Sequence, residues 1–251
     1  MAVVTGGGGG IGSAICLRLA QEAARVMVVD RDEERAQAAV KELRSQGGTA
    51  IASVADVADP AAVERILDET EAEFGPASIL VNAVGISEGT NVFETDPGQW
   101  NRTLAVNVGS YFYCARALSL RLREADAPGV IVNISSTNAF YAEPNAIAYT
   151  ASKGAVEALT KGLALELAPA RIRVTAICPG IIRTPVTEGM LAESDDADTL
   201  LATWNKAHAL GRMGAPHEIA AVVAFLASDE ASFVTGSSFI ADGGLSSGWL
   251  F

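Results

Sequence analysis

Thr5-Gly6-Gly7-Gly8-Gly9-Gly10-Ile11-Gly12 is the stretch on which the fold of this 251-residue chain turns. It follows a β-branched run at residues 3–5 and leads directly into an apolar-periodic segment at residues 11–23. Glycines there permit a tight turn and let backbone approach a pyrophosphate, while the free amides and dipole of a helix start attract negative charge. A glycine run alone describes any flexible linker. Set between a strand and a helix, it describes a nucleotide cradle built from Gly6, Gly10, Ile11 and Gly12.

Outward from the cradle the rhythm repeats. Runs at residues 25–29, 49–54, 78–82, 130–134, 172–177 and 238–241 are short and apolar on both faces, as strands of a helix-covered parallel sheet must be. Helical periodicity occupies residues 32–46, 60–74, 99–123, 149–167 and 216–227, with Pro60 and Pro216 placed in first turns. The alternation continues without a Pro/Ser-rich linker or a shift in composition, which predicts one doubly wound α/β domain over residues 1–251. One long irregular insertion is expected at residues 185–214, a candidate substrate lid that includes the acidic run 193–198, read as a solvated loop face or helix start.

Eighteen basic against 30 acidic side chains leave a net charge of -12, which argues against nucleic acid or an anionic membrane as partner. With 49% apolar and 19% charged residues the chain can fill a core. No apolar run reaches the roughly 20 residues of a membrane span, and Gly6 comes too early for a signal peptide. Cys16, Cys114 and Cys178 are odd in number and far apart, so reduced thiols and a cytoplasmic location are expected. Two histidines and no Cys-x-x-Cys pair offer no metal site.

The second strand ends at Asp30, 18 residues after Gly12, near the offset at which a carboxylate meets ribose hydroxyls. A carboxylate there repels a 2′-phosphate, so NAD is favoured over NADP; Arg31, if turned inward, is the exception. Tyr149 and Lys153 share a helix face at i and i+4, in a chain with only four tyrosines and four lysines. Ser136 lies 13 residues earlier, just past the fifth strand, on the sheet edge where ligands of such folds bind. A phenol titrates near 10, so service as a base near neutrality requires its anion to be favoured by about 3 units, or about 4 kcal/mol. An ammonium at about 4–5 Å supplies an effect of that order, and the positive ring of an oxidised nicotinamide would add more.

Together the glycine loop, Asn133-Ile134-Ser135-Ser136, Tyr149-x-x-x-Lys153, Pro179-Gly180 with Thr184, and Asp242-Gly243-Gly244 resemble the short-chain dehydrogenase/reductase family over essentially the whole chain. The resemblance implies a seven-stranded Rossmann sheet with helices on both faces, hydride transfer with a nicotinamide, and a homotetramer or homodimer. It implies Tyr149 as acid/base, Lys153 orienting the ribose and lowering the tyrosine pKa, Ser136 holding the substrate oxygen and Asn107 supporting a proton relay. Asp56 and Val57 resemble the adenine contact, and residues 181–184, Ile182 and Thr184 among them, the carboxamide contact, with Asn82, Gly85, Pro179 and Gly180 completing the cofactor wall. The chain departs from the family where Asn82-Ala83-Val84-Gly85 replaces the usual Asn-Asn-Ala-Gly, which puts the packing against Asn107 in question, and where Thr175 replaces an asparagine. Small effects on stability are expected from both.

Substrate-lining candidates are Ile86, Ser87 and Glu88, then Asn138, Phe140, Tyr141 and Glu143, and Met190, Trp204 and His208 from the lid, with His208 also fitting a packing role. The mixture suits a sugar, a polyol or a cyclic alcohol. Two other functions compete: a 3-oxoacyl thioester reductase, which would use NADPH and a basic docking surface, and a dinucleotide-binding scaffold or sensor without turnover. A poised phenol argues against the second. The apolar end, residues 248–251, is expected to pack across a subunit interface.

Overall fold

In the computed structural model, which describes residues 1–248, seven strands form one parallel sheet: β1 (Ala2–Thr5), β2 (Val26–Asp30), β3 (Ala50–Val54), β4 (Ile79–Asn82), β5 (Gly129–Ile134), β6 (Ile172–Pro179) and β7 (Ser238–Ala241). Their order is β3-β2-β1-β4-β5-β6-β7, which is the doubly wound Rossmann arrangement the sequence predicts. The order reverses between β1 and β4, paired from Ala2 with Ile79 to Thr5 with Asn82, so the crevice opens beyond Thr5 and Asn82. The last three residues, 249–251, lie outside the described part, and with them most of the C-terminal segment expected at an interface.

Successive strand residues point to opposite faces, and both faces are covered. Val4, Val28, Val132 and Ile177 pack with Ile15, Leu19, Ile219 and Val223 of α1 (Gly10–Gln21) and α9 (Pro216–Ala227), and α2 (Glu33–Ser45) joins the same layer. Val3, Met27, Leu80, Ile131 and Val174 pack on the other side against α3 (Pro60–Phe74), α5 (Ser110–Glu124) and α6 (Ile147–Leu167). This explains why the strands read as unbroken apolar runs. Pro60 and Pro216 open their helices, and Asp32 and Asp59 cap α2 and α3 by accepting from Arg35 N and Ala61 N.

Two expectations are corrected. The stretch read as one regular helix over residues 99–123 is α4 (Pro97–Leu104), a π turn at Ala105–Gly109, and α5. The insertion read as irregular is two helices, α7 (Pro185–Ala192) and α8 (Ala197–Ala207); each is short, and the acidic residues that masked the periodicity include Asp196, which caps α8 by accepting from Thr199 N at 3.0 Å. No helix of the described residues is long and apolar enough to cross a membrane.

The family departures leave a mark in the core. Asn82 donates to Asn133 Oδ1 at 2.9 Å, but its own Oδ1 and the hydroxyl of Thr175, both buried, have no partner among the described residues. Thr175→Val is therefore expected to raise unfolding free energy by about 1 kcal/mol, because it deletes an unsatisfied hydroxyl at nearly constant shape. Urea denaturation measures this, and a lower midpoint would mean that the hydroxyl is bridged.

Candidate active site

The glycine loop leaves β1 and folds back so tightly that side chains are excluded. Gly6 has φ +66°, and a Cβ there would stand 2.9 Å from Ala83 O; one on Gly12 would collide with the Gly6 carbonyl, and one on Gly10 would meet Thr184 Cβ at 2.8 Å. Helix α1 begins at Gly10 with no capping side chain and no acidic residue in its first turn, which leaves its dipole and amides for an anion. Asp30, at the tip of β2, accepts from Gly8 N through Oδ2 and from Asp32 N through Oδ1, both at 3.1 Å. Its carboxylate is thus fixed beside the loop, while Arg31 is exposed. At the tip of β3, Asp56 accepts from Ala58 N at 2.9 Å and Val57 is buried. A cradle closed to side chains, a bare helix start and a fixed carboxylate fit a dinucleotide.

Tyr149 stands in the first turn of α6 and Lys153 one turn later, facing Ser136 just beyond β5. Lys153 is 3% exposed; its Nζ donates to Ile134 O at 2.8 Å and lies 5.5 Å from the ring centroids of both Tyr149 and Tyr111. Gly85 leaves the space above it open, since a Cβ there would lie 3.5 Å from Nζ. Asn107 sits in the π turn, fully buried: Oδ1 accepts from Ile86 N at 2.8 Å, and Nδ2 donates to Ile86 O and Ser152 Oγ at 2.9 Å. The doubt raised by the missing second asparagine is thereby answered, because the Ile86 backbone and Ser152 hold Asn107. Ser152 in turn donates to Tyr149 O at 2.7 Å, tying the π turn to α6.

Electrostatics amend one expectation. Burial pushes the Tyr149 phenol above its ordinary value, a hydrogen bond with Ser136 pulls it down, and the Glu143 carboxylate pushes it up; the net direction in the protein alone is upward. Burial also brings Lys153 down to about 8, with Cys178 and Glu157 opposing. An acidic phenol is therefore not built in by Lys153 alone, which leaves weight on the second cation, the nicotinamide ring, that the sequence reading adds to the lysine.

Strand β6 ends at Pro179, and the loop after it carries Gly180, Ile182 and Thr184. It is pinned by Arg183 N to Gly214 O at 2.8 Å and Gly214 N to Ile181 O at 2.9 Å, and Thr184 caps α7 over the start of α1. Of the lining candidates, Ser87 and Glu88 share a cleft with Tyr149, and Glu88 pairs with Arg102. Asn138 donates to Glu143 at 3.3 Å near Ser136, while Phe140 and Met190 are exposed. Tyr141 donates to Ser246 O at 2.8 Å, and Trp204 is half-buried in α8. His208 takes the packing role expected of it, and only its place among the lining candidates is corrected: it is 2% exposed, Nε2 accepts from Ile181 N at 3.2 Å and Nδ1 faces Trp204 O at 2.7 Å, so neither nitrogen is left for a substrate. A cavity of about 340 Å³ between the β6 loop, α9 and β7 contains none of the four catalytic candidates.

Sequence reasoning missed Tyr111 and Ser152. Tyr111, fully buried, donates to Val84 O and Ile134 O at 2.9 Å and walls in Lys153. Its signal was the i+4 spacing from Asn107, hidden by the π turn.

A family model described as Enoyl-(Acyl carrier protein) reductase matches residues 6–246. Cyclopentanol dehydrogenase of Comamonas sp. is 41% identical over 96% of this chain and 95% of its own length. Galactitol 2-dehydrogenase (L-tagatose-forming) of Cereibacter sphaeroides is 41% identical over 97% and 93%. The crystal structure of gox2181 superposes with a TM-score of 0.92 at 34% identity, covering 98% of this chain and 95% of that one. With its sheet order, its glycine cradle and these relatives, the chain belongs to the short-chain dehydrogenase/reductase family.

Proposed function

We propose that the protein interconverts a secondary alcohol and its ketone, with NAD as the partner in hydride transfer. The observation that carries this is the convergence of Tyr149, Lys153 and Ser136 at the sheet edge, beside a glycine cradle and the fixed Asp30 carboxylate. When bound, the coenzyme supplies the carbon that exchanges hydride with the alcohol carbon. Ser136 holds the substrate oxygen, and Tyr149 takes the hydroxyl proton as the ketone forms and returns it in reduction. Lys153, held by Ile134 O, would offer its remaining N–H groups to the coenzyme ribose and lend positive charge to the phenol. Asn107 keeps the Ile86 backbone in place at the substrate side.

Gly6, Gly10, Ile11 and Gly12 would hold the pyrophosphate, Asp56, Val57, Asn82 and Gly85 the adenine side and floor, and Pro179, Gly180, Ile182 and Thr184 the nicotinamide side. Asp30 would accept from the ribose hydroxyls, and its charge supports NAD over NADP. Ser87, Asn138, Glu143 and Trp204 remain the substrate-side candidates, with helices α7 and α8 as lid. The relatives named for cyclopentanol and galactitol support an alcohol substrate over an acyl thioester. Exposed Phe112 and Leu120 on α5, and Phe225 and Ile240 on α9 and β7, support a homo-oligomer.

An absorbance assay at the reduced-nicotinamide band, pairing NAD and NADP with cyclopentanol, cyclohexanol, galactitol and a 3-oxoacyl thioester, tests the proposal. Turnover is expected with NAD and one of the alcohols. Asp30→Ala is expected to erode the preference for NAD by about tenfold or more, since it removes both an acceptor for the ribose and a repulsion against a 2′-phosphate. Turnover only with the thioester and NADPH would overturn the assignment.

A further inference from the structure

One turn beyond Lys153 on the same face of α6 lies Glu157, a carboxylate 6% exposed and outside every role assigned so far. Buried carboxylates are uncommon unless they are paired or well hydrogen-bonded. Two donors hold this one: the Cys178 thiol of β6, at 3.2 Å from Oε1, and the Ser238 hydroxyl of β7, bonded to Oε2. Neither donor carries a positive charge, so the negative charge of Glu157 is solvated but not neutralised where it sits.

Lys153 presents the complementary problem. Its ammonium is 3% exposed, and among the described residues its protein acceptor is one carbonyl, Ile134 O. A cation so buried reverts to the neutral amine unless an opposite charge is near. The groups that face it are Tyr149 and Glu157 from α6, Tyr111 from α5 and Cys178 from β6, and Glu143 lies beyond Tyr149; the burial-shifted phenols and thiol remain neutral near pH 7. Glu157 is then the carboxylate that acts on the lysine from behind, while Tyr149 lies in front.

We propose that Glu157 is a positioning residue of the reaction, a buried counter-charge, clamped by Cys178 and Ser238, that keeps Lys153 protonated beneath Tyr149. The arrangement is a charge column along α6 at i, i+4 and i+8: phenol, ammonium, carboxylate. The role presupposes the hydride-transfer chemistry proposed above, whereas the titration that tests it is read without substrate or coenzyme.

The chain has four lysines, Lys41, Lys153, Lys161 and Lys206, so a protein labelled with ¹³C at lysine Cε gives a resolvable NMR titration, with Lys153 assigned by its loss in Lys153→Arg. In the unsubstituted protein a Lys153 midpoint near 8 is expected, and a midpoint below pH 6.5 would overturn the proposal even if no Glu157 variant folds. Glu157→Gln keeps size and hydrogen-bonding capacity but removes the charge; the midpoint should fall by about one unit. Glu157→Asp should recover most of that fall. An unchanged midpoint in a folded Glu157→Gln protein overturns the proposal, because a purely structural Glu157 would alter melting temperature and leave the lysine titration in place. In turnover, Glu157→Gln should move the alkaline limit of kcat/KM downward in pH, following the lysine. Absence of any alcohol dehydrogenation in the unsubstituted protein would count against the proposed function alone, since the lysine titration stands apart from it.

Discussion

Replacing Tyr149 by phenylalanine is expected to lower kcat/KM by about 10³-fold or more, beyond the lower range of general acid–base contributions, because the proposed function gives the proton transfer to the Tyr149 phenol. Coenzyme affinity should stay within a few-fold, since Lys153, Asp30 and the glycine cradle are untouched. Coenzyme binding followed by fluorescence, alongside steady-state kinetics, separates the two effects, and near-normal turnover would remove Tyr149 from the chemistry. The same phenol fixes a pH signature. Burial and Glu143 raise its pKa, so the phenolate required for oxidation grows as pH rises. Oxidation should therefore gain about tenfold in kcat/KM per pH unit below the apparent pKa, until the lysine limit intervenes, whereas reduction, which uses the protonated phenol, should stay level through that range and decline only above the pKa. A flat profile in both directions would contradict that proton path.

Gly12→Ala is expected to be the most damaging substitution in the cradle. A methyl group there points into the Gly6 carbonyl, which is backbone that cannot swing aside as a side chain would. Either the loop opens or α1 moves away from β1, with a cost of about 3 kcal/mol and at least a tenfold loss of coenzyme affinity. Chemical denaturation and coenzyme titration measure the two consequences. A fully stable variant with unchanged affinity would show that the loop is looser than its close approach implies. Gly47, where nothing lies within 4 Å, offers a contrast of another kind, since its φ of +83° makes backbone strain the concern there.

Both sites rest on features that short-range patterns reveal well. Strands such as β1 and β2 are continuous apolar runs because Val3 and Val4 face different helix layers, and a glycine run between strand and helix leaves little choice of conformation. Tyr149, Lys153 and Ser136 were legible because a helix face and a strand end are local properties. What was hidden is relational. Periodicity cannot register a π turn, because the flanking helices keep their own period on either side of it, so the 99–123 segment read as regular. Helices α7 and α8 were missed because each is short and the acidic run between them looks like loop. His208 looked available because nothing near it in sequence announces Ile181 N, which reaches it across the fold. The upward shift of Tyr149 depends on burial and on Glu143, both of which arise only once the chain is folded.

The π turn at Ala105–Gly109 has a consequence for what this protein can tolerate in length. Each helical residue turns the chain by about 100°, so the widened turn is equivalent to one extra residue that re-phases everything after it. Upstream, α4 borders the cleft that holds Ser87, Glu88 and Tyr149 through Gln99 and Thr103; downstream, α5 sends Leu118 and Leu122 into the core. A single-residue deletion there that restored regular winding would satisfy the helix backbone, yet it would swing one of these two surfaces by more than a quarter revolution. In this segment shortening by one is therefore worse than most exchanges of side chain, and the gene should accept point changes around Asn107 more readily than any loss of a codon.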